Sequence, residues 1–211
     1  FNVPRWQWLM ARIALGITRP KNPILGMELA GEIEVVGRDV TLFEKGDKVF
    51  ASTMWSGFGG YAEYKCMAED GVLALKPANM TFEEAAVIPS GGITTWGIIK
   101  WANIRSGQKV LIYGASGSVG TFAVQLARSL GAEVTGVCST TNLELVRSLG
   151  ADKVLDYTKE DLTRVEEKYD VIFDAVDKMP GDLKAALKET GVYLNVHSSS
   201  DKIKTKDVLN L

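Results

Sequence analysis

Histidine is nearly absent from this chain, with His197 standing alone among 211 residues. A catalytic zinc takes its ligands from several His and Cys residues at set spacings, so one histidine argues against zinc chemistry. Cysteine is almost as scarce, and Cys66 and Cys138, far apart in the chain, form no disulfide framework. A reducing cytoplasm is the expected compartment. No apolar run approaches the roughly twenty residues of a membrane helix, and the stretch 8–17 is broken by Arg12. Neither sign of charge dominates: 24 basic against 26 acidic residues leave a net charge of −2 and no basic face for nucleic acid. Paired carboxylates at a useful spacing and a nucleophile with its base are also missing, so no catalytic residue is nominated. The chain starts at Phe1 without a signal-peptide layout and reads as a piece of a longer protein.

What is present is an ordinary globular composition, 46% hydrophobic and 24% charged, on a length that suits one large or two small domains. Residues 24–80 read as β, with strand-like runs at 28–36, 48–51, 60–67 and 72–76 and turns at Gly37-Arg38-Asp39 and Lys45-Gly46-Asp47. Thr81-Phe82-Glu83-Glu84 is a capping box for a short helix that stops before Pro89. A longer helix over 93–103 follows, with Ile93, Trp96, Gly97 and Lys100 at helical spacing. Beyond Gly107, strands at 110–113, 134–138, 153–155, 171–175 and 192–196 alternate with helices near 119–130, 143–149, 159–167 and 183–189. Alternation of this kind predicts a parallel sheet covered on both faces. The change of pattern divides the chain into domains 1–90 and 91–211.

The densest signal lies in residues 109–139. An apolar run, Lys109 to Tyr113, leads into Gly114-Ala115-Ser116-Gly117-Ser118-Val119-Gly120, then a helix ending at Gly131 and a second apolar run. Strand, glycine turn, helix and strand within about thirty residues form the unit that holds a dinucleotide pyrophosphate on a helix N-terminus. Gly114 lets the strand bend, Gly117 keeps a Cβ out of the way of the diphosphate, and Gly120 lets the helix lie against the strand. The amides around Ser116, Gly117, Ser118 and Val119, at the positive end of that helix, favour an anion.

The tip of the second strand selects between dinucleotides. NAD sites usually carry a carboxylate there for the ribose hydroxyls, whereas this tip reads Val137-Cys138-Ser139-Thr140-Thr141-Asn142. Donors at Ser139, Thr140 and Asn142 suit a 2′-phosphate, which points to NADPH over NADH. Thr141-Asn142-Leu143-Glu144 also reads as a capping box for the next helix.

Several ordered blocks resemble the medium-chain dehydrogenase/reductase superfamily, in its zinc-independent quinone oxidoreductase (zeta-crystallin-like) branch. Gly26-Met27-Glu28-Leu29-Ala30-Gly31-Glu32-Ile33 is similar to the family's GHExxGxV block, and Lys45-Gly46-Asp47-Lys48-Val49 to its GDRV turn. Gly59-Gly60-Tyr61-Ala62-Glu63-Tyr64, residues 85–95 and the Gly114 to Gly120 turn follow in family order. The resemblance implies an α/β protein: a GroES-like β-rich catalytic domain followed by a doubly wound Rossmann cofactor domain, truncated at both ends. Met27 stands where zinc-dependent relatives have a ligating His, the lobe of four cysteines is absent, and Glu28 is read as structural. The resemblance also makes Ser139 and Tyr157 ligands of the 2′-phosphate, with Asn142 in place of a lysine, and puts Thr94 beside the nicotinamide. Asp177 replaces a common glycine after the fourth strand of the sheet. The sixth strand and a homodimer edge are expected beyond Leu211.

The implied reaction is transfer of a hydride from NADPH to a quinone or an α,β-unsaturated carbonyl. Such a reaction needs orientation more than a strong acid, because the developing oxyanion is stabilised by hydrogen bonds and protonated from water. A nucleotide-binding protein without turnover, of the redox-sensing or interaction kind, is the alternative on the same scaffold. Cys66 is expected as buried filler and Cys138 near the ribose. His197 reads as an exposed loop residue or one facing the nicotinamide. Trp6, Trp8, Met10 and Ile13 read as one face of an amphipathic helix.

Overall fold

The computed structural model describes residues 12–13, 16–196 and 208–210. Trp6, Trp8 and Met10, expected on one face of an amphipathic helix, and His197 lie outside these residues. The chain divides into two compact units, Phe1–Ser90 and Gly91–Leu211.

In the first unit, β1 (Glu28–Glu32), β2 (Lys48–Ser52) and β3 (Leu73–Leu75) form an antiparallel sheet in that order. The turn into β2 uses Gly46 at φ +93°, a conformation that favours glycine. Residues 60–67, expected as a strand, are not one. Gly60 and Tyr61 donate to Gly26 and Leu25 carbonyls at 3.1 and 2.9 Å, and the segment then runs on as irregular wall of a groove of about 630 Å³ beside β1. Gly60 is pressed so closely on β1 that a Cβ would lie 2.4 Å from the Glu28 carbonyl oxygen. Cys66, on this segment, is exposed rather than buried. Helix α1 (Phe82–Ala86) has the full capping box expected, with Thr81 Oγ1 accepting from Glu84 N and Glu84 Oε2 from Thr81 N.

Helix α2 (Ile88–Ala102) starts five residues earlier than expected. Pro89 sits in its first turn, where a missing N–H costs nothing. Glu28 Oε1 accepts from Ser90 N at 2.7 Å, so a β1 carboxylate satisfies a first-turn amide that no local cap reaches. The residues whose spacing marked this helix, Ile93, Trp96, Gly97 and Lys100, form its exposed face; Thr95, Ile98 and Ile99 are the buried ones.

The second unit is a six-stranded parallel sheet. Its strands are β4 (Lys109–Tyr113), β5 (Glu133–Cys138), β6 (Lys153–Asp156), β7 (Tyr169–Asp174), β8 (Leu187–Asn195) and β9 (Val208–Asn210), in the order β6-β5-β4-β7-β8-β9. That is the doubly wound Rossmann order, with its switch point between β4 and β7. Among the described residues β9 is thus a sixth parallel strand, although a sixth strand was expected only beyond Leu211. Alternate residues feed two cores. Val110, Ile112, Val134, Val171 and Phe173 pack on helices α3 (Ser118–Ser129) and α4 (Leu143–Ser148), while Leu111, Tyr113, Val137, Ile172 and Tyr193 cover the other face.

Two expected helices reduce to short turns. Only Leu162–Arg164 is helical in 159–167. The link from β6 to β7 has twelve residues and must cross three strand positions, about 14 Å at ~4.8 Å each, while returning along the sheet. A helix rising ~1.5 Å per residue is too short for that path. The helix expected over 183–189 is a short 3₁₀ helix, Gly181–Ala186, followed directly by β8. Lys188 pairs with Asp170 of β7 at 2.8 Å and draws that stretch into the sheet.

At the amino ends of the strands Glu167 joins three elements. It accepts from Lys109 of β4, lies 3.3 Å from Lys153 of β6, and sits 3.3 Å from the buried Tyr169 hydroxyl. Burial pushes the Tyr169 phenol up to about 12, so it remains a donor. The Lys109 hydrogen bond, opposed by partial burial and aided by Lys153, holds the Glu167 carboxyl below the usual carboxylate range. A carboxyl lowered in the folded state stabilises above its unfolded pKa and loses that contribution as pH falls through its folded value. Glu167→Gln should therefore cost about 1 kcal/mol at pH 7, given partial solvent screening, and much less at pH 3. Urea unfolding at the two pH values checks this, and an equal loss at both would contradict the ionic role.

Candidate dinucleotide site

The site grows from the end of β4. Gly114 adopts φ +79°, and both its N–H and that of Ala115 donate to the Val137 carbonyl at 3.0 Å, curling the chain over neighbouring β5. A Cβ on Gly114 would stand 2.7 Å from Val176 Cγ1, on the loop after β7. Gly120 is held tighter still: a Cβ there would lie 2.1 Å from the Gly114 carbonyl oxygen and 2.8 Å from Ala115 Cα. Helix α3 can sit at this depth only because Gly120 has no side chain.

Gly117 differs from both. It is the N-cap of α3 at φ −79°, and a Cβ there would meet only the Gly114 oxygen, at 3.4 Å. Packing within the protein does not demand glycine here, so the bare Cα faces room for a ligand. Its own N–H turns inward to the Gly114 carbonyl at 3.0 Å, and the Thr121 N–H returns to Gly117 O at 2.9 Å. The outward donors are then the N–H groups of Ser118, Val119 and Gly120, which have no acceptor within the helix. Ser116 is half-buried in the turn and Ser118 is exposed at the start of the helix. Three convergent amides at a positive helix end, with an uncovered glycine in front, fit a diphosphate.

Adjacent strand ends carry the remaining predicted residues. Tyr113 is in register with Val137 and Cys138 with Asp156, so Gly114, Ser139 and Tyr157 follow the ends of three neighbouring strands. Ser139 Oγ lies 3.2 Å from Thr141 Oγ1 and accepts from Asn142 Nδ2 at 3.2 Å. Tyr157 is exposed, its ring 6.2 Å from that of Tyr113. The expected capping box at Thr141 does not form; the chain makes a single turn, Thr140–Asn142, and Thr141 turns to Ser139 instead.

Thr140 is engaged on the protein side of the strand tip. Its hydroxyl donates to Asp156 Oδ2 at 2.5 Å and lies 3.0 Å from the Thr158 hydroxyl. Thr158 adds its hydroxyl at 2.6 Å and its N–H at 2.9 Å to the other Asp156 oxygen. The Thr140 hydrogen bond first, and those of Thr158 next, hold the Asp156 carboxyl below its ordinary value. A buried carboxylate thus sits behind the hydroxyl cluster, unseen at the strand tip in sequence because it belongs to the next strand.

Beyond β7 the loop is shaped by a second buried carboxylate. Asp174 accepts from the N–H groups of Val176 and Met179 at 3.1 Å each and from the Tyr193 hydroxyl at 3.3 Å. Burial, and then the Asp174 charge, push the Tyr193 phenol well above its ordinary value, so it stays a donor. Asp177, which replaces the family glycine, keeps a left-handed backbone at φ +53° and accepts from the Asn195 side-chain amide. Cys138 is buried at the end of β5, and burial raises its thiol. Thr94 is half-buried on α2, next to the fully buried Thr95. Met27 is exposed, and among the described residues no three His, Cys, Asp or Glu side chains come together as a metal site. No helix among them is long and apolar enough to cross a membrane.

The alcohol dehydrogenase GroES-like domain family matches residues 6–77, and the family described as zinc-binding dehydrogenase matches residues 118–196. The chain belongs to the medium-chain dehydrogenase/reductase superfamily, in its quinone oxidoreductase branch. It is 35% identical over 180 residues to the 2-methylene-furan-3-one reductase of Solanum lycopersicum and 36% identical over 180 residues to the chloroplastic NADPH-dependent alkenal/one oxidoreductase of Arabidopsis thaliana. Each match covers 82% of this chain and 46% of the relative, so the chain spans about half the length of these relatives. The quinone oxidoreductase structure from Coxiella burnetii superposes with a TM-score of 0.80 at 30% identity, covering 92% of this chain and 64% of that one.

The contrast between the glycines is testable. Gly120→Ala should cost about 2 kcal/mol by forcing α3 off β4, whereas Gly117→Ala should cost no more than about 1 kcal/mol as a poorer N-cap. Both should lose nucleotide affinity. Urea unfolding beside nucleotide titration separates the two effects, and a Gly117→Ala chain as unstable as Gly120→Ala would show that packing, not a ligand, requires Gly117.

Proposed function

We propose that the protein is an NADPH-dependent oxidoreductase that reduces a quinone or an α,β-unsaturated carbonyl without zinc. The observation that carries this reading is the uncovered Gly117 before three outward N–H groups, in a chain whose relatives bear the names of alkenal/one and quinone oxidoreductases. NADPH, when bound, supplies a hydride from C4 of its nicotinamide to an electron-poor carbon.

The chain's own residues bind and orient. Ser118, Val119 and Gly120 hold the diphosphate through backbone N–H groups, with Gly114, Ser116 and Gly117 shaping the turn. Ser139, Asn142 and Tyr157 receive the 2′-phosphate, joined by Thr141, and Thr94 borders the nicotinamide. The Ser139 oxygen already accepts from Asn142, so its hydrogen is left to point toward Thr141 or an anion. Phosphate recognition by hydroxyls and an amide, without the lysine of other members, supports a modest preference for NADPH over NADH. Zinc independence is supported by the donor set, with Met27 at the ligand position and one histidine in the chain. The reading includes a homodimer, as in the resemblance, and a reducing compartment such as the cytoplasm, in keeping with two unpaired cysteines.

Fluorescence titration with NADPH and NADH, followed by loss of reduced-nicotinamide absorbance on adding a quinone or an enone, tests this function. Tighter NADPH binding with substrate-dependent oxidation is expected; binding without oxidation of NADPH by either substrate class would contradict the reductase reading. Ser139→Asp should shift preference toward NADH by about tenfold or more, since it sets a like charge against the 2′-phosphate. Unchanged discrimination would remove the phosphate assignment.

A further inference from the structure

The first turn of α3 is tied from outside by a residue that the glycine pattern does not contain. Thr95, fully buried on α2, has its Oγ1 2.7 Å from the Gly91 carbonyl oxygen and 3.0 Å from that of Val119. One hydroxyl hydrogen is shared between the two acceptors, of which the Gly91 carbonyl is the ordinary partner of a helical threonine, four residues before it. The Val119 contact leaves α2 and lands in the α3 turn that presents the outward amides. Gly91 brings the same two helices together, since a Cβ there would stand 2.7 Å from two Phe122 ring carbons and 2.9 Å from Ser118 Oγ. One hydroxyl and one bare Cα thus meet Ser118, Val119 and Phe122, on both sides of the donors.

We propose that Thr95 is a positioning residue for the diphosphate site: its hydroxyl fixes the depth and rotation of the first α3 turn, and so the aim of the Ser118, Val119 and Gly120 N–H groups. This rests on the dinucleotide reading of the turn. A set of fixed donors holds an anion only as well as it is placed, and small misplacements are costly. Thr95 is fully buried, as are Ile98 and Ile99 on the same face of α2 and Ala123 and Val124 on α3, and a low local dielectric strengthens its hydrogen bonding. Val119 O also has its own intrahelical position, so removing the Thr95 hydroxyl loosens the turn without orphaning a carbonyl. Thr94, its neighbour, lies half-buried and makes no part of this tie.

The test uses the full chain with three probes. NADPH and ADP-ribose carry the diphosphate; adenosine 2′-monophosphate has no 5′-phosphate and does not reach the turn. For Thr95→Val, which keeps the shape and removes the hydroxyl, the dissociation constants of NADPH and ADP-ribose should rise about tenfold, with adenosine 2′-monophosphate within about twofold of wild type. Thr95→Ser should restore both diphosphate ligands. If Thr95→Val does not fold, Gly91→Ala, which displaces the same turn through Phe122 and Ser118, carries the same expectation. Equal binding of all three probes by the wild type and the variant would overturn the proposal and leave the dinucleotide reading standing. An equal weakening of all three would also overturn it, as general loosening. A wild-type chain that binds neither NADPH nor ADP-ribose would overturn the dinucleotide reading, and the proposal with it.

Discussion

The contact of the Gly120 backbone with the Gly114 carbonyl sets the depth at which α3 lies on β4, and much of the second unit follows from that depth. With the helix this close, Ala115 is fully buried under it and Ala123, Val124 and Ala127 reach the sheet directly. Larger residues at those positions would lift the helix. The same approach leaves the N–H groups of Ser118, Val119 and Gly120 aimed past the end of β4, at the switch point where Val176 closes over Gly114. One missing Cβ therefore couples the packing of the core to the placement of the donors.

Around that contact, polar groups at the carboxyl ends of the strands are buried and paired. Asp156 gathers Thr140 and Thr158, and Asp174 gathers two loop amides and Tyr193. Buried carboxylates stay in place only when their lone pairs are filled, and these are filled by donors from the loops they shape. Each carboxylate thus stiffens a loop at the end of the sheet where a dinucleotide belongs. The opposite end is organised by Glu167 with Lys109, Lys153 and Tyr169, a network that joins strands and borders no binding turn.

What could be read from sequence was local. The Gly114 to Gly120 turn, its flanking strands and the Thr81 capping box are each encoded within a dozen residues, and each forms as expected. Failures came where distant parts of the chain decide. The link from β6 to β7 has a helical pattern, but the strand order makes its path too long for a helix. Residues 183–189 favour a helix until Lys188 meets Asp170 across the sheet. The Thr140 hydroxyl meets Asp156, sixteen residues away, a partner that the strand tip alone does not reveal. Thr95 carries no motif signal beside Thr94, and only its position three and four residues before Ile98 and Ile99 marks the buried face of α2.

In the proposed function one surface, formed by the ends of β4, β5 and β6, would bind the diphosphate and the 2′-phosphate of the same nucleotide. The most direct measurement is an amide nitrogen–proton NMR titration of the full chain with NADPH. The account predicts shifts at Ser118, Val119 and Gly120 together with Ser139, Thr141, Asn142 and Tyr157, following one saturation curve. Shifts confined to the groove beside β1, or none at Ser118, Val119 and Gly120, would contradict it.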